Sequence, residues 1–176
     1  PGRSGVGAGD GGSGNLMGAV RVGQGFDVHR HVEGASDRVL VLGGVKFPGE
    51  RPLVGHSDAD VIAHAAADAL LGAAGLGDIG EHFSDTDPKW KGADSVKMLE
   101  AAARMVRDAG YMIGNVDCSV ICEQPKIAPH KQAMQEILTK ATGAPITVKG
   151  RRAEGLGAIG RQEGIACFAV AVIEQA

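Results

Sequence analysis

The stretch VRVGQGFDVHR, residues 20–30, has the apolar alternation of a β-strand and carries an aspartate and a histidine near its end. The pattern predicts a strand over residues 20–28. Because successive side chains of a strand point to opposite faces, Asp27 and His29 point the same way, with Cα atoms about 6.5 Å apart. The strand is therefore predicted to present an oxygen and a nitrogen donor that can hold one small ligand between them.

A helix is predicted next, over residues 59–74, inside the stretch HSDADVIAHAAADALLGAAGLGDIG. A serine–aspartate pair before it suits an N-cap, alanine and leucine fill its body, and two glycines follow it. Asp60, His64 and Asp68 recur every four residues and therefore share one face of the helix. This face is the second source of polar side chains that a ligand site requires.

The rest of the chain mixes strand and helix patterns. Strands are predicted at residues 38–47, 111–123, 146–150 and 165–173, and helices at residues 94–109 and 126–143. The last strand is apolar throughout, and we expect it to be buried on both faces. Elements in this order, without an internal repeat, indicate a sheet covered by helices, in the α+β or the α/β class.

Length and composition fit one domain. The chain has 176 residues, 44% of them hydrophobic, which is enough for a core of its own. Residues 1–18 contain eight glycines and almost no large apolar side chain. We expect them to be a disordered leader, a tag remnant or the trimmed end of a targeting segment. The folded domain is then predicted to cover residues 19–176.

Charge and cysteine content exclude some classes of partner. The net charge of −3, with lysine and arginine scattered and not interleaved with aromatic residues, argues against nucleic acid. No apolar run has membrane length. Three cysteines without a C-x-x-C pair indicate a reduced, intracellular setting, and we expect a cytoplasmic protein, or a plastid-stroma protein if the source is a plant or alga.

Asp27, His29 and His64 together offer one oxygen and two nitrogen donors. Catalytic zinc sites use such a set and leave a fourth position for water or substrate. The structural alternative is a hydrogen-bonded pair on a strand surface and a histidine in the core. Asp60 and Asp68, one turn on either side of His64, either orient its imidazole or only cap and solvate the helix.

Further polar stretches each have a functional and a structural interpretation. GDIG at residues 77–80 brings backbone N–H groups to a phosphate, or only ends a helix. FSDTDP at residues 83–88 binds hydroxyl groups, or forms a turn. Lys126 follows a strand, where substrates often bind, or is solvated. The glycine-rich basic stretch at residues 148–164 suits phosphate and, through Glu154, a bridging divalent cation, or is a charged surface loop.

The order of these blocks carries more information than any one of them. GFDVH, HSDADVIAHAAADALLGAAGLGDIG, FSDTDPKWKGADS, QPKIAPH and GRQEGIAC resemble, block after block, the 2-C-methyl-D-erythritol 2,4-cyclodiphosphate synthase family of the non-mevalonate isoprenoid pathway. The resemblance runs from about Arg21 to Glu174. It implies a homotrimer of α+β subunits, each a mixed β-sheet covered by helices, with active sites between neighbouring subunits.

The resemblance also implies a reaction. It is the conversion of 4-diphosphocytidyl-2-C-methyl-D-erythritol 2-phosphate to the cyclic diphosphate and CMP, which makes the enzyme a phosphorus–oxygen lyase. The cofactors implied are Zn²⁺ or another divalent transition metal, and Mg²⁺ or Mn²⁺ with the substrate diphosphate. A cavity on the trimer axis is expected to accept an isoprenoid diphosphate.

Site residues follow from the resemblance by position. The implied metal ligands are Asp27, His29 and His64 for zinc and Glu154 for the second ion. The implied substrate-binding residues are His56, Ser57, Asp78, Ile79, Gly80, Phe83, Asp85 and Asp87. The implied nucleotide-binding residues are Cys122, Lys126, Ile127, Ala128, Gly150, Arg151 and Arg152, and Arg161 is placed near the trimer axis.

The chain departs from the family pattern in the nucleotide segment. Family members commonly carry two threonines where this chain has Arg151 and Arg152. Either the arginines clasp the diphosphate, or they point away and backbone N–H groups bind the nucleotide. Ala158 stands where a bulkier apolar residue is common, so the cavity on the trimer axis is expected to differ.

Two other functions stay open from the sequence. A zinc phosphohydrolase would use metal-bound water, release inorganic phosphate and form no ring. A trimeric binding module with a structural metal would close the fourth coordination position with a protein ligand such as Asp60 or His56.

Overall fold

The computed structural model describes residues 19–84 and 86–176. Its main feature is a mixed four-stranded sheet with helices against one face. The strands are β1 (Val20–Arg30), β2 (Leu40–Leu42), β3 (Val45–Phe47), β4 (Tyr111–Ile121), β5 (Ile146–Arg151) and β6 (Gly164–Gln175). The helices are α1 (Val61–Ala74), α2 (Ile79–His82), α3 (Ser95–Asp108), α4 (Lys131–Thr142) and α5 (Gly157–Gly160), with 3₁₀ turns at Pro88–Trp90 and Ala128–His130. The predicted α+β class is confirmed.

The strand order in the main sheet is β1-β6-β4-β5. β6 is antiparallel to both β1 and β4, whereas β4 and β5 are parallel. β1, β4 and β5 therefore run in the same direction, and their carboxyl ends lie at the same end of the sheet. β1 and β5 form its two edges.

Helix α1 lies directly on the backbone of β1. A Cβ built on Gly23 would lie 2.0 Å from the carbonyl oxygen of Ala69, and one on Gly25 would lie 2.0 Å from that of Ala65. Only glycine permits this approach on the strand side. On the helix side the contacts are made by alanines, whose small side chains allow the two backbones to lie close together. The contact places Ala65, the neighbour of His64, against the centre of β1, two residues before Asp27.

The outer face of the sheet is apolar and exposed, which corrects the expectation for the last strand. The inward residues of β6 are buried, but Phe168 and Val170 on its outer face are 48% and 43% exposed. α1 packs against β1, β6 and β4 on the opposite face. The expected burial of β6 on both faces is therefore wrong for the single chain.

The predicted strand over residues 38–47 is instead the hairpin of β2 and β3. Gly43 and Gly44, with φ of 57° and 76°, form its two-residue turn. Positive φ at both central residues is typical of the turn that matches the twist of paired strands. The expectation of one strand is therefore wrong, because the two consecutive glycines divide the apolar run into two short strands.

The helix predicted over residues 126–143 begins later, at Lys131, because a 3₁₀ turn with Pro129 near its start occupies Ala128–His130. None of the described helices combines the length and the apolar composition needed to cross a bilayer. The disordered leader expected for residues 1–18 falls outside the described part of the chain.

Candidate functional site

Asp27 and His29 of β1 and His64 of α1 direct one donor atom each to a common point. Asp27 Oδ2 lies 3.0 Å from His64 Nδ1 and 3.2 Å from His29 Nε2, and the two nitrogens are 3.4 Å apart. Bonds of about 2.0–2.1 Å in a tetrahedral zinc site place neighbouring ligand atoms about 3.3–3.4 Å apart. The three side chains therefore form a candidate metal site.

Hydrogen bonds on the far side of each ring orient the two histidines. His29 Nδ1 lies 2.7 Å from the carbonyl oxygen of Val54, to which it donates, so its Nε2 keeps a lone pair. His64 Nε2 lies 2.8 Å from the Ser95 hydroxyl, which itself donates to the Asp58 carboxylate. Ser95 Oγ therefore accepts from His64 Nε2–H, and His64 Nδ1 is left free for a cation.

The charges of the triad are coupled. Burial alone would raise the pKa of Asp27, but the close contacts of its carboxylate with the rings of His29 and His64 outweigh it and hold that pKa well below its ordinary value. Burial alone would lower the pKa of His29, yet the hydrogen bond and charge of Asp27 raise it above the usual 6.5. Asp27 is thus an anion at neutral pH, as a metal ligand must be.

The two other acidic residues of the helix face stabilise the backbone. The buried Asp60 carboxylate accepts the N–H groups of Gly43 and Gly44 in the hairpin and of Ile62 and Ala63 in α1. It therefore caps α1 and ties the hairpin to the start of the helix.

Asp68 accepts the backbone N–H of Ile79 at 3.1 Å, which ties the turn after α1 to the helix. Neither Asp60 nor Asp68 is hydrogen-bonded to the imidazole of His64 in the described residues. The sequence left open whether these aspartates orient the His64 imidazole or only cap and solvate the helix. Their contacts with backbone N–H groups correspond to the second, structural role.

A cavity of about 320 Å³ opens beside the triad. Its lining includes several residues of the expected substrate set: His56, Ser57, Ile79, Gly80 and Phe83. Asp78 caps the short helix α2 through the N–H of Glu81. Asp87 caps the 3₁₀ turn, and its backbone oxygen lies 2.9 Å from His56 Nε2. The expected role of Asp85 falls outside the described residues.

Trp90 and Met98 also line this cavity, and the sequence reasoning did not single them out. The Trp90 ring packs edge-on against that of Phe83, with centroids 5.0 Å apart. The signal available in the sequence was a large aromatic residue, the single tryptophan of the chain, inside a polar loop.

A second cavity, of about 550 Å³, lies where β4 and β5 end. It brings together the whole expected nucleotide set, Cys122, Lys126, Ile127, Ala128, Gly150, Arg151 and Arg152. The sequence did not single out four other lining residues, Glu123, Gln124, Pro125 and Lys131. Five lysine and arginine side chains against one carboxylate give this wall the charge that a phosphate group requires.

Close packing shapes this second cavity. The backbone N–H of Cys122 donates to the carbonyl oxygen of Arg151 at 3.0 Å, which extends the pairing with β5 one residue beyond the end of β4. A Cβ on Gly150 would lie 2.8 Å from Cβ of Ile127. Glycine therefore allows the segment after β4 to lie against β5.

The two cavities share no lining residue among those described. Asp27 and His29 lie on edge strand β1, and His64 lies on α1, which packs against that strand. The nucleotide set lies at the ends of β4 and β5, toward the opposite edge of the sheet. Glu154 is exposed and lines neither cavity. Arg161 is exposed and pairs with Glu163 at 2.7 Å.

Comparisons with known proteins agree on one family. The model of the YgbB family matches residues 20–174. A 2-C-methyl-D-erythritol 2,4-cyclodiphosphate synthase of Trichlorobacter lovleyi is 53% identical over 157 residues, 88% of this chain and 98% of the relative. One of Cupriavidus pinatubonensis is 56% identical over 157 residues, 88% of this chain and 91% of the relative.

Solved structures give the same result. The bifunctional IspDF of Campylobacter jejuni matches with a TM-score of 0.85 and 41% identity, over 90% of this chain and 43% of that one. The CDP complex of Plasmodium falciparum IspF matches with a TM-score of 0.77 and 35% identity, over 90% and 97%. The chain therefore belongs to the YgbB family, the family of the 2-C-methyl-D-erythritol 2,4-cyclodiphosphate synthases.

Proposed function

We propose that this chain, a synthase of isoprenoid biosynthesis by its family, converts 4-diphosphocytidyl-2-C-methyl-D-erythritol 2-phosphate to 2-C-methyl-D-erythritol 2,4-cyclodiphosphate and CMP. The observation that carries the proposal is the convergence of the donors of Asp27, His29 and His64, 3.0–3.4 Å apart, on a cavity lined by the expected substrate residues. The cation-rich nucleotide cavity supports it.

The reaction is an intramolecular phosphoryl transfer. An oxygen of the 2-phosphate attacks the β-phosphorus of the diphosphate, the bond between this phosphorus and the oxygen that bridges to CMP breaks, and CMP leaves with that oxygen. A phosphate monoester already carries a charge of about −1.5 to −2 at pH 7. No side chain of the protein therefore needs to remove a proton from the nucleophile.

The difficulty is to bring two anionic groups of one flexible molecule together. Fixed orientation in such intramolecular reactions can account for about 7–11 kcal/mol of the barrier. When bound by Asp27, His29 and His64, and by Glu154 with the diphosphate, divalent cations would position phosphate oxygens and offset their charge. The side chains of the substrate cavity hold the methylerythritol portion, and those of the nucleotide cavity hold the cytidine diphosphate portion.

We propose further that the active unit is a homotrimer built on the outer face of the sheet. Val22, Phe26, Val28, Phe168 and Val170 are between 43% and 65% exposed on this face. The rings of Phe26 and Phe168 lie 4.7 Å apart and make the patch continuous across β1 and β6. Apolar patches of this kind mark interfaces between proteins.

The trimer also accounts for the position of the two cavities. Three strand spacings of about 4.7–4.9 Å place β1 and β5 about 14 Å apart, at opposite edges of the sheet. In the proposed assembly the nucleotide cavity of one subunit faces the metal cavity of its neighbour. The axis near Arg161 is the proposed place for an isoprenoid diphosphate.

The structural-metal alternative has little support. The Asp60 carboxylate is occupied by backbone N–H groups, and His56 Nε2 lies 2.9 Å from the Asp87 carbonyl oxygen. Both residues considered as a fourth ligand therefore have hydrogen-bond partners outside the triad. The fourth position is left for substrate.

Product analysis tests the proposal. The protein is incubated with the cytidyl substrate, Zn²⁺ and Mg²⁺, and the products are followed by phosphorus NMR. CMP together with a cyclic diphosphate is the expected result. Inorganic phosphate without a ring would instead indicate a phosphohydrolase, and an unchanged substrate would contradict both enzymatic functions.

A further inference from the structure

Glu123, to which the proposed function gives no role, follows β4 and lines the nucleotide cavity. Its side chain is 7% exposed, whereas that of Arg152, its partner, is 67% exposed. A carboxylate withdrawn from water costs free energy unless it is paired and hydrogen-bonded. The burial of Glu123 therefore indicates a specific contact rather than a solvated surface charge.

Both oxygens of Glu123 are used. Arg152 Nε and Nη2 lie 3.0 Å and 2.9 Å from Oε2, and Oε1 accepts the backbone N–H of Gly155 at 3.3 Å. The hydrogen bond from Arg152 lowers the pKa of Glu123, which keeps the carboxylate charged. Two donors from one guanidinium fix its orientation as well as its position.

One carboxylate thus holds both ends of the segment 152–155. Within this segment Glu154 has a φ of 54° and Gly155 a φ of 75°, and Leu156 N–H donates to the Ala153 carbonyl oxygen at 2.9 Å. A left-handed conformation at a residue other than glycine persists only where its surroundings impose it. Glu123 provides that constraint from the neighbouring strand end.

We propose that Glu123 is a positioning residue for the diphosphate: it holds the Arg152 guanidinium in the wall of the nucleotide cavity and fixes the turn that presents Glu154. The inference rests on the proposed function, because it takes a cytidine diphosphate group as the occupant. Arg152 then contributes a fixed cation that recognises phosphate rather than the cytidine base. Arg151, by contrast, donates to the carbonyl oxygen of Gly150, its own neighbour.

Calorimetric titration with cytidine, CMP and CDP tests this inference. The variants are Glu123→Gln, Arg152→Ala and the double variant. Glutamine keeps the size of the side chain and an acceptor for Gly155 N–H, but removes the charge that holds Arg152. Each single variant is expected to weaken CDP binding at least tenfold and cytidine binding less than twofold. In the Arg152→Ala background, Glu123→Gln is expected to add less than twofold.

Two further variants serve as controls. Glu100→Gln, on the exposed surface of α3, removes one charge away from the cavity and is expected to leave CDP binding unchanged. Arg152→Lys keeps the charge but cannot make the two-donor contact, and it is expected to lose CDP affinity as Arg152→Ala does. Since Arg152 is exposed, this variant tests the inference even if Glu123→Gln fails to fold.

The inference is overturned by unchanged CDP affinity in Glu123→Gln, by an equal loss for cytidine and CDP, or by effects of the two substitutions that multiply independently. Unchanged affinity in Arg152→Lys would overturn it as well. If the unaltered protein does not bind CDP at all, the proposed function falls and the inference falls with it. CDP binding that is insensitive to Glu123 removes the inference alone.

Discussion

Ser95 Oγ lies 2.8 Å from Nε2 of His64, a residue 31 positions earlier in the chain, and donates its own proton to Asp58. The first residue of α3 thereby fixes the ring of a candidate metal ligand on α1. Groups that orient a metal-binding histidine typically contribute 10- to 100-fold, roughly, to metal affinity.

Replacement of Ser95 by alanine should therefore weaken zinc binding about 10- to 100-fold, because the His64 ring loses the nearer of its two hydroxyl partners, and Ser57 Oγ remains 3.1 Å from Nε2. The measurement is a competition titration against a chromophoric chelator. Ser36→Ala, in an exposed loop, is the matched control. Equal zinc affinity of the two variants would show that Ser95 does not orient the ring.

His64→Ala is expected to abolish turnover and zinc binding while the far-UV circular dichroism and the cooperative melting transition are retained. An open catalytic site contributes less to folding than a closed structural one. Metal content by elemental analysis and thermal unfolding separate the two cases. A global loss of structure in this variant would support a structural metal.

Zinc affinity is expected to fall with falling pH, through the raised pKa of His29. A proton on Nε2 competes with the metal, so zinc affinity reaches its full value above that pKa and declines below it.

The stability of the metal-free protein should change with pH in the opposite direction. A raised pKa contributes stability that is present below about 6.5 and is lost as pH rises through the folded-state value.

Affinity titrations and denaturant unfolding of the chelated protein, each across this range of pH, measure the two trends. Zinc affinity independent of pH would contradict the assignment of His29 as a ligand. His29→Gln is the control that should remove the opposing trend in the metal-free protein.

Gly25→Ala is expected to destabilise the protein by about 1–3 kcal/mol or more, because the new methyl group meets the backbone of α1 and cannot be accommodated by a side-chain rotation. Gly72→Ala is the matched control, since a Cβ there meets nothing within 4 Å and the position is helical. The control should gain about 0.5–1 kcal/mol. Denaturant unfolding gives both values, and similar stabilities would refute the close contact.

Phe168→Asp should convert the proposed trimer to monomers and remove activity, because it places a charge in the centre of the outer sheet face. Val39→Asp changes an exposed apolar residue outside the main sheet and should do neither. Light scattering coupled to size-exclusion chromatography measures the mass. A trimer that survives Phe168→Asp would place the interface elsewhere.

Local patterns predicted the elements that form the triad. The alternation around Asp27 identified β1, and the alanine-rich body followed by Gly75 identified α1. The expected N-cap at the serine–aspartate pair is wrong, because Ala59 has a φ of 62° and Asp60 caps a helix that begins at Val61. The glycines of β1 explain why the strand and the helix meet. The Gly43–Gly44 pair is also a turn signal, but the apolar residues on both sides of it fit one continuous strand equally well. The sequence spacing could place neither Ser95 beside His64 nor Glu123 beside Arg152.

The exposure of Phe168 shows a different limit of sequence reasoning. An apolar strand indicates burial, but not whether another part of the same chain or another subunit covers it. Nor does the sequence show that the residues expected to bind one substrate line two separate cavities, one beside β1 and one at the ends of β4 and β5.

Trp90 gives the protein a built-in optical probe. It is the single tryptophan of the chain, it lines the cavity beside the three donors, and it packs on Phe83 with Lys89 Nζ 4.5 Å from the centre of its ring. The indole fluorescence of each chain therefore comes from this cavity alone. Occupancy of that cavity can be followed in real time without attaching a dye.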